Sequence, residues 1–406
     1  MDAMLGPSQR PWWHAACPAV IRYAAWWAVG AVVLATGSQA FAESLATSNT
    51  SDPIKALIKI CEPPSTGHPP GEEPQNCYTR HLHELLRTQG PTIAMLTLYQ
   101  LAGTSAGFGN SCHVTTHHLS EVMYARVGNV AEAMALCQEG CAYACQHAVL
   151  TAYLRQLPQG TPPDFERLCP QGQHGDGLTH WQCAHGAGHG LVHHFSDVQQ
   201  ALTACKEFSL PLGRKFCALG VFMERSFEIV RTQSPPSDPR HHLKLCTTVE
   251  PHLRSDCYYY FISLVSWASR GSVPAMFEAC EALSDETKPG CYRGIGRTLL
   301  AQYVDREDEV IPACRSGKAA YAADCWLGFA SNLATARGLD RGFTFCAKLP
   351  EEARIRCSKD LGVAIRLRWA DSDRIAAECQ KAGGSLYVRA CIDVKLSAGE
   401  PILRSP

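Results

Sequence analysis

The chain has 406 residues, a formal charge of −1 and 21 cysteines. Near-neutral charge, with no basic stripe and no acidic tail, leaves no electrostatic footprint for nucleic acid or another polyanion. The length can bury a sizeable core, as two domains or as one elongated array.

Residues 1–42 read as a secretory signal. Arg10 and Arg22 supply a basic n-region, residues 23–35 a short apolar run, and Ala40-Phe41-Ala42 fits small-x-small cleavage. A retained anchor is the alternative, but a spanning helix needs roughly 20 apolar residues, more than this run offers. No later stretch is long and apolar enough to span, so the expected location is periplasmic or secreted. Cleavage after Ala42 removes Cys17 and leaves 20 cysteines. An even number in an exported chain implies a disulfide framework.

Residues 43–76 run into a Pro/Gly-rich loop that carries His68 and is flanked by Cys61 and Cys77, which would staple it. Residues 82–101 read as helical with a break at Gly90-Pro91. Gly103-Thr104-Ser105-Ala106-Gly107 matches Gly-x-Ser-x-Gly, but a nucleophile elbow needs a strand before it, so a flexible turn is expected. Gly107-Phe108-Gly109 then predicts a turn capped by Asn110 or Ser111, opening a helix over 112–127 that stops at Gly128. His113, His117 and Glu121 share one face of that helix, at i, i+4 and i+8. A helix over 130–136 leads to Cys137, Cys141, Cys145 and His147. Residues 157–178 form a Pro/Gly-rich loop, either a functional loop or a tolerated surface insertion.

The densest stretch follows: Cys183-Ala184-His185-Gly186-Ala187-Gly188-His189-Gly190-Leu191-Val192-His193-His194. His185, His189 and His193 form a helical row. Each of the three glycines costs a helix interior about 1 kcal/mol relative to alanine. Absent side chains let another backbone, or a ligand, come close.

From Cys205 onward the chain repeats. Cysteines fall in pairs 205/217, 246/257, 280/291, 314/325, 346/357 and 379/391, each 11 or 12 apart, and from Cys246 the units recur every 32 to 34 residues. That is the period of helix-hairpin solenoids. The simplest pairing joins the two cysteines of each unit, each loop worth about 3 kcal/mol in the chain-entropy model. Over residues 200–395 the chain resembles tetratricopeptide-like repeat proteins of the cysteine-rich secreted kind, and the resemblance implies a binding role. The segment from Cys112-His113 through Cys141, Cys145-Gln146-His147, Cys183-Ala184-His185 and Val221-Phe222-Met223-Glu224 is similar to a pattern in exported bacterial proteins of unassigned function.

Eight histidines, 113, 117, 118, 147, 185, 189, 193 and 194, fall within about 80 residues, a density that points to a metal site between facing helices. Neutral imidazole suits zinc, copper or iron. Packed or capping histidines are the other reading. The cysteines could ligate as thiolates, although an oxidising compartment favours bridges. No Cys-x-x-Cys-His and no His-Glu-x-x-His occurs, which disfavours c-type haem and zincin chemistry. The paired histidine runs are locally similar to the boxes of di-iron desaturases, which sit beside membrane spans, and to the copper triads of the tyrosinase type. Glu224, in an apolar stretch, is either a ligand or an acceptor for a histidine N–H, or else a salt-bridge partner of Arg225 or another basic residue.

The expectation is therefore an all-α protein: signal 1–42, histidine-rich helical module 43–200, solenoid-like disulfide-stapled helical-hairpin repeat array 201–395, and tail 396–406. A transition metal (zinc, copper or iron) would be held by His113, His117, His185 and His189, with His147, Glu121 and Glu224 as outer or additional ligands. The reaction, hydrolytic or oxidative, stays open, as does a metal store. The alternative is a non-catalytic scaffold whose array binds a protein or envelope partner.

Overall fold

In the computed structural model, the described residues are 51–62, 74–138, 140–158, 160–161, 163–169, 177–369 and 371–394. The expected signal 1–42, the loop with His68, residues 170–176 of the second loop and the tail 396–406 lie outside them. The described residues from Leu57 onward form one compact unit, and residues 51–56 are assigned to another.

The described regular structure is entirely helical. The principal helices are α1 (Ser51–Cys61), α2 (Pro74–Gln89), α3 (Pro91–Thr104), α4 (Ala106–Val127), α5 (Ala144–Gln156), α6 (Gly177–Phe195), α7 (Pro211–Thr232), α8 (Arg254–Ala268), α9 (Lys288–Tyr303), α10 (Ala322–Arg337), α11 (Glu351–Arg368) and the shorter α12 (Ser385–Ile392). Short helices such as Val198–Cys205 and Val273–Glu281 alternate with the later ones. No helix among the described residues is long and apolar enough to cross a membrane.

Local sequence explains the helix ends. Gly90, at φ 91°, separates α2 from α3, and Pro91 opens α3 where a missing N–H costs nothing. Gly128 closes α4 in the left-handed region, at φ 71°. The start of α4 differs from expectation. Ser105 is the cap, accepting from Phe108 N–H, and residues 107–111 are helical rather than a turn. The Gly-x-Ser-x-Gly serine is thus a helix cap between two helices, not a nucleophile.

From α4 to α12 each principal helix packs on the next, and the row bends back so that α11 touches α6. One apolar cluster runs through it, from Tyr143 and Leu150 through Ala187, Val221, Phe261 and Ile295 to Phe329 and Cys391. Large apolar side chains of this kind contribute about 1.5–3 kcal/mol each when fully buried.

Twenty cysteines form ten disulfides. All six repeat pairs occur as expected, from Cys205–Cys217 to Cys379–Cys391, and so does Cys61–Cys77. Cys112–Cys141, Cys137–Cys145 and Cys169–Cys183 complete the set. Thiolate ligation is therefore out, because none of these sulfurs is free. The proximity of Cys61, Cys77 and His81 likewise describes a disulfide beside a histidine, not a ligand set.

Candidate metal centre

Three adjacent helices bring five imidazoles together. His113 and His117 come from α4, His147 from α5, and His185 and His189 from α6. Ligand-capable atoms of His113, His117 and His147 lie within 4.8 Å of one another, and so do those of His147, His185 and His189. His147 belongs to both groups. It is therefore central to the cluster, where the sequence suggested an outer or additional ligand.

The glycines of α6 explain how the helices come so near. A Cβ on Gly186 would meet the His147 backbone at 3.0 Å, and one on Gly190 would press into Leu154 of α5. On the opposite face, a Cβ on Gly188 would overlap the Cys217 carbonyl of α7. In return, a Cβ on Gly220 of α7 would overlap the His185 carbonyl. The glycines admit neighbouring backbone on two sides rather than a ligand, and so carry α5 and α7 up to the histidine row.

Four rings have one nitrogen committed to an acceptor. His113 Nδ1 donates to the Cys141 carbonyl at 2.9 Å. His147 Nε2 donates to Gln182 Oε1 at 3.2 Å, and His189 Nδ1 to Glu224 Oε2 at 2.8 Å. His185 makes a backbone hydrogen bond with Phe216. Carbonyl and carboxylate oxygens can only accept, so each bond fixes the tautomer. The lone pairs left over are His113 Nε2 and His147 Nδ1, both buried and without a hydrogen-bond partner, and the Nε2 atoms of His185 and His189. Those last two atoms face each other at 3.2 Å. Tetrahedral coordination with metal–nitrogen bonds of about 2.0–2.1 Å places neighbouring ligand atoms about 3.3 Å apart.

Electrostatics agrees with neutral rings. Burial, then the repulsion of neighbouring imidazoles, pushes His117, His147 and His185 well below the ordinary value of 6.5. His113 is lowered by burial as well, against the pull of the Cys141 carbonyl. Neutral imidazole is the form that ligates a metal.

Glu224 lies behind the cluster. It is 6% exposed, and its oxygens accept from His189 Nδ1, from His193 Nε2 at 2.9 Å and from Arg231 Nη2 at 2.6 Å. Burial opposes its ionisation, but these three donors outweigh it and hold the carboxyl far below the usual range. Both expected kinds of partner occur: Glu224 accepts from a histidine N–H and pairs with a basic residue, which is Arg231, two turns on, rather than Arg225. Glu121 is not brought to the cluster: it is half-exposed and pairs with Arg155 at 3.5 Å. Eight residues along a helix is about 12 Å, so it overshoots the site.

Of the doubled histidines, His117 faces inward and His118 is exposed. His193 reaches Glu224, whereas the buried His194 turns its edge to Phe195. Sequence reasoning missed Gln182 and the Cys141 carbonyl. The latter sits in a turn where Cys141 and Tyr143 adopt φ of 56° and 60°. Disulfides to Cys112, and between Cys137 and Cys145, clamp this unfavourable backbone in place.

No protein-family model, curated protein or solved structure matches the chain. The argument for function rests on the site itself.

Proposed function

We propose that His113, His117, His147, His185 and His189 hold a transition-metal centre in an exported protein. The observation that carries this reading is the pattern of ring nitrogens. In four rings one nitrogen is tied to an oxygen acceptor or a backbone group; the other has no partner in His113 and His147, and in His185 and His189 the two Nε2 atoms face each other. Metal-bound histidines are held in that way, their second N–H anchored to a carbonyl or carboxylate. A scaffold with merely structural histidines leaves the bare nitrogens unexplained, and each costs about 1–3 kcal/mol when buried without a partner.

Two triads sharing His147 suit one ion, or two ions with His147 between them. An all-nitrogen donor set fits zinc, copper or iron. Zinc would supply an activated water and a redox metal would supply oxidation chemistry, so the reaction follows from the ion. Ten disulfides fit an oxidising compartment, and we place the protein in the periplasm or outside the cell, with residues 1–42 as its signal. The disulfide-paired helices after Cys205 support a tetratricopeptide-like repeat array.

The test is elemental analysis of protein made in an oxidising compartment, comparing wild type, His147→Ala and Glu121→Gln. One or two equivalents of a transition metal are expected in wild type and in Glu121→Gln. His147→Ala should lose them while its far-UV circular dichroism is unchanged. A wild type that takes up no zinc, copper or iron on reconstitution would sink the reading.

A further inference from the structure

The helix pair α9/α10 repeats the interlock of α6/α7 residue for residue. Gly188 and Gly220 abut the carbonyls of Cys217 and His185; Gly296 and Gly328 abut those of Cys325 and Arg293 in the same way. In this register Arg293 takes the place of His185, Arg297 that of His189 and Asn332 that of Glu224. Six residues separate His189 from its disulfide cysteine, Cys183, and six separate Arg297 from Cys291. The array therefore offers the same inner position twice, once as a histidine and once as an arginine.

The two arginines are treated differently. Arg293, 1% exposed, is paired with Asp360 at 2.6 Å and Asp324 at 3.7 Å. Arg297, one turn on and half-buried, has no hydrogen bond or ion pair with any described residue. Its guanidinium instead lies over two tyrosine rings, 4.7 Å from the centroid of Tyr260 and 5.7 Å from that of Tyr259. Asn332 Nδ2 donates to the Tyr259 hydroxyl at 2.9 Å and so fixes that ring. Burying a cation is costly without a counter-charge, and the described residues supply two for Arg293 and none for Arg297. Its five N–H donors have no acceptor among the described residues.

We propose that Arg297, on its platform of Tyr259 and Tyr260, is an oxyanion subsite. It takes the carboxylate or phosphate group of a ligand and does not depend on the metal reading. A fixed guanidinium matches either group in bidentate fashion.

The test uses metal-free full-length protein titrated calorimetrically with inorganic phosphate and, separately, with acetate. Wild type is expected to bind one of the two, which identifies the group recognised. Arg297→Gln should weaken that binding by about 10–100-fold, the worth of charge-assisted hydrogen bonds, with Arg297→Lys between the two. As a check needing no variant, the bound anion should slow phenylglyoxal modification of Arg297 in wild type, read by mass spectrometry. Failure of wild type to bind either anion would overturn the proposal. So would an Arg297→Gln variant that binds as wild type does, or modification of Arg297 unaffected by anion. Metal content of the same samples separates the two readings. Anion binding without metal uptake keeps the subsite and removes the metal centre; metal uptake without anion binding does the reverse.

Discussion

His147 matters because of where its two nitrogens go. Nε2 is spent on Gln182, and Nδ1 is left bare among the other rings. Glu224 works one step further out by holding His189 through Nδ1. Glu224→Gln keeps the shape but removes the charge that raises the basicity of His189. Metal affinity should fall about 10–100-fold in competition with a chelator, with the fold intact by circular dichroism; unchanged affinity would mean that Glu224 does not orient a ligand. The neutral rings also set a pH dependence for the metal-free protein. His113, His117, His147 and His185 have folded values below 6.5. The unfolded chain therefore binds more protons once the pH falls below 6.5, so stability is full above that pH and declines as the pH drops toward the folded values. Each extra proton contributes a slope of about 1.4 kcal/mol per pH unit. Glu224, also depressed, adds to the loss only below its ordinary 4.5. Denaturant titrations from pH 7.5 to 5 should show the decline, and a flat profile would contradict buried neutral rings.

At the scale of elements, the site is made by helices that approach through glycine. Gly188 and Gly220 lock α6 to α7, and Gly220 lies against the carbonyl of His185. Gly220→Ala forces backbone apart where no side chain can yield. The expected cost is at least the 1–3 kcal/mol typical of overpacking, together with weakened metal binding as His185 shifts. Gly103→Ala is the control. It lies near the exposed end of α3 with nothing within 4 Å of its added carbon, and helix propensity predicts a gain of up to about 1 kcal/mol. Melting temperatures of the two variants should move in opposite directions. If Gly220→Ala melts with wild type, the interlock is not what positions α6. The glycines were visible in the sequence as a penalty in search of a reason; that neighbouring backbone supplies the reason, and not a ligand, is a tertiary fact.

At the scale of the whole molecule, local regularity decided what could be read in advance. The six repeat disulfides follow from one recurring separation, and all are found. Cys112–Cys141 and Cys137–Cys145 span 29 and 8 residues and interleave, so no period announces them. The i, i+4 pairs His113/His117 and His185/His189 were legible because helical spacing marks them, whereas the lone His147 gains its role only when α5 packs between α4 and α6. Sequence left open which basic residue pairs with Glu224, and it is Arg231, seven residues away. The disulfides themselves permit a test of how locally the site is supported. Cys169–Cys183 and Cys379–Cys391 close loops of similar length, with separations of 14 and 12, so removing either should cost about 3 kcal/mol. Their positions differ. Cys183 lies two residues before His185 on α6, while Cys391 is on α12, at the far end of the helical row. Cys169→Ser/Cys183→Ser should therefore lose metal at a temperature where it is still folded, and Cys379→Ser/Cys391→Ser should keep it. Paired measurements of melting temperature and metal stoichiometry decide the matter. If both double variants release metal in step with the same loss of stability, the centre is held by the cooperativity of the entire row of helices and not by the clamp at the start of α6.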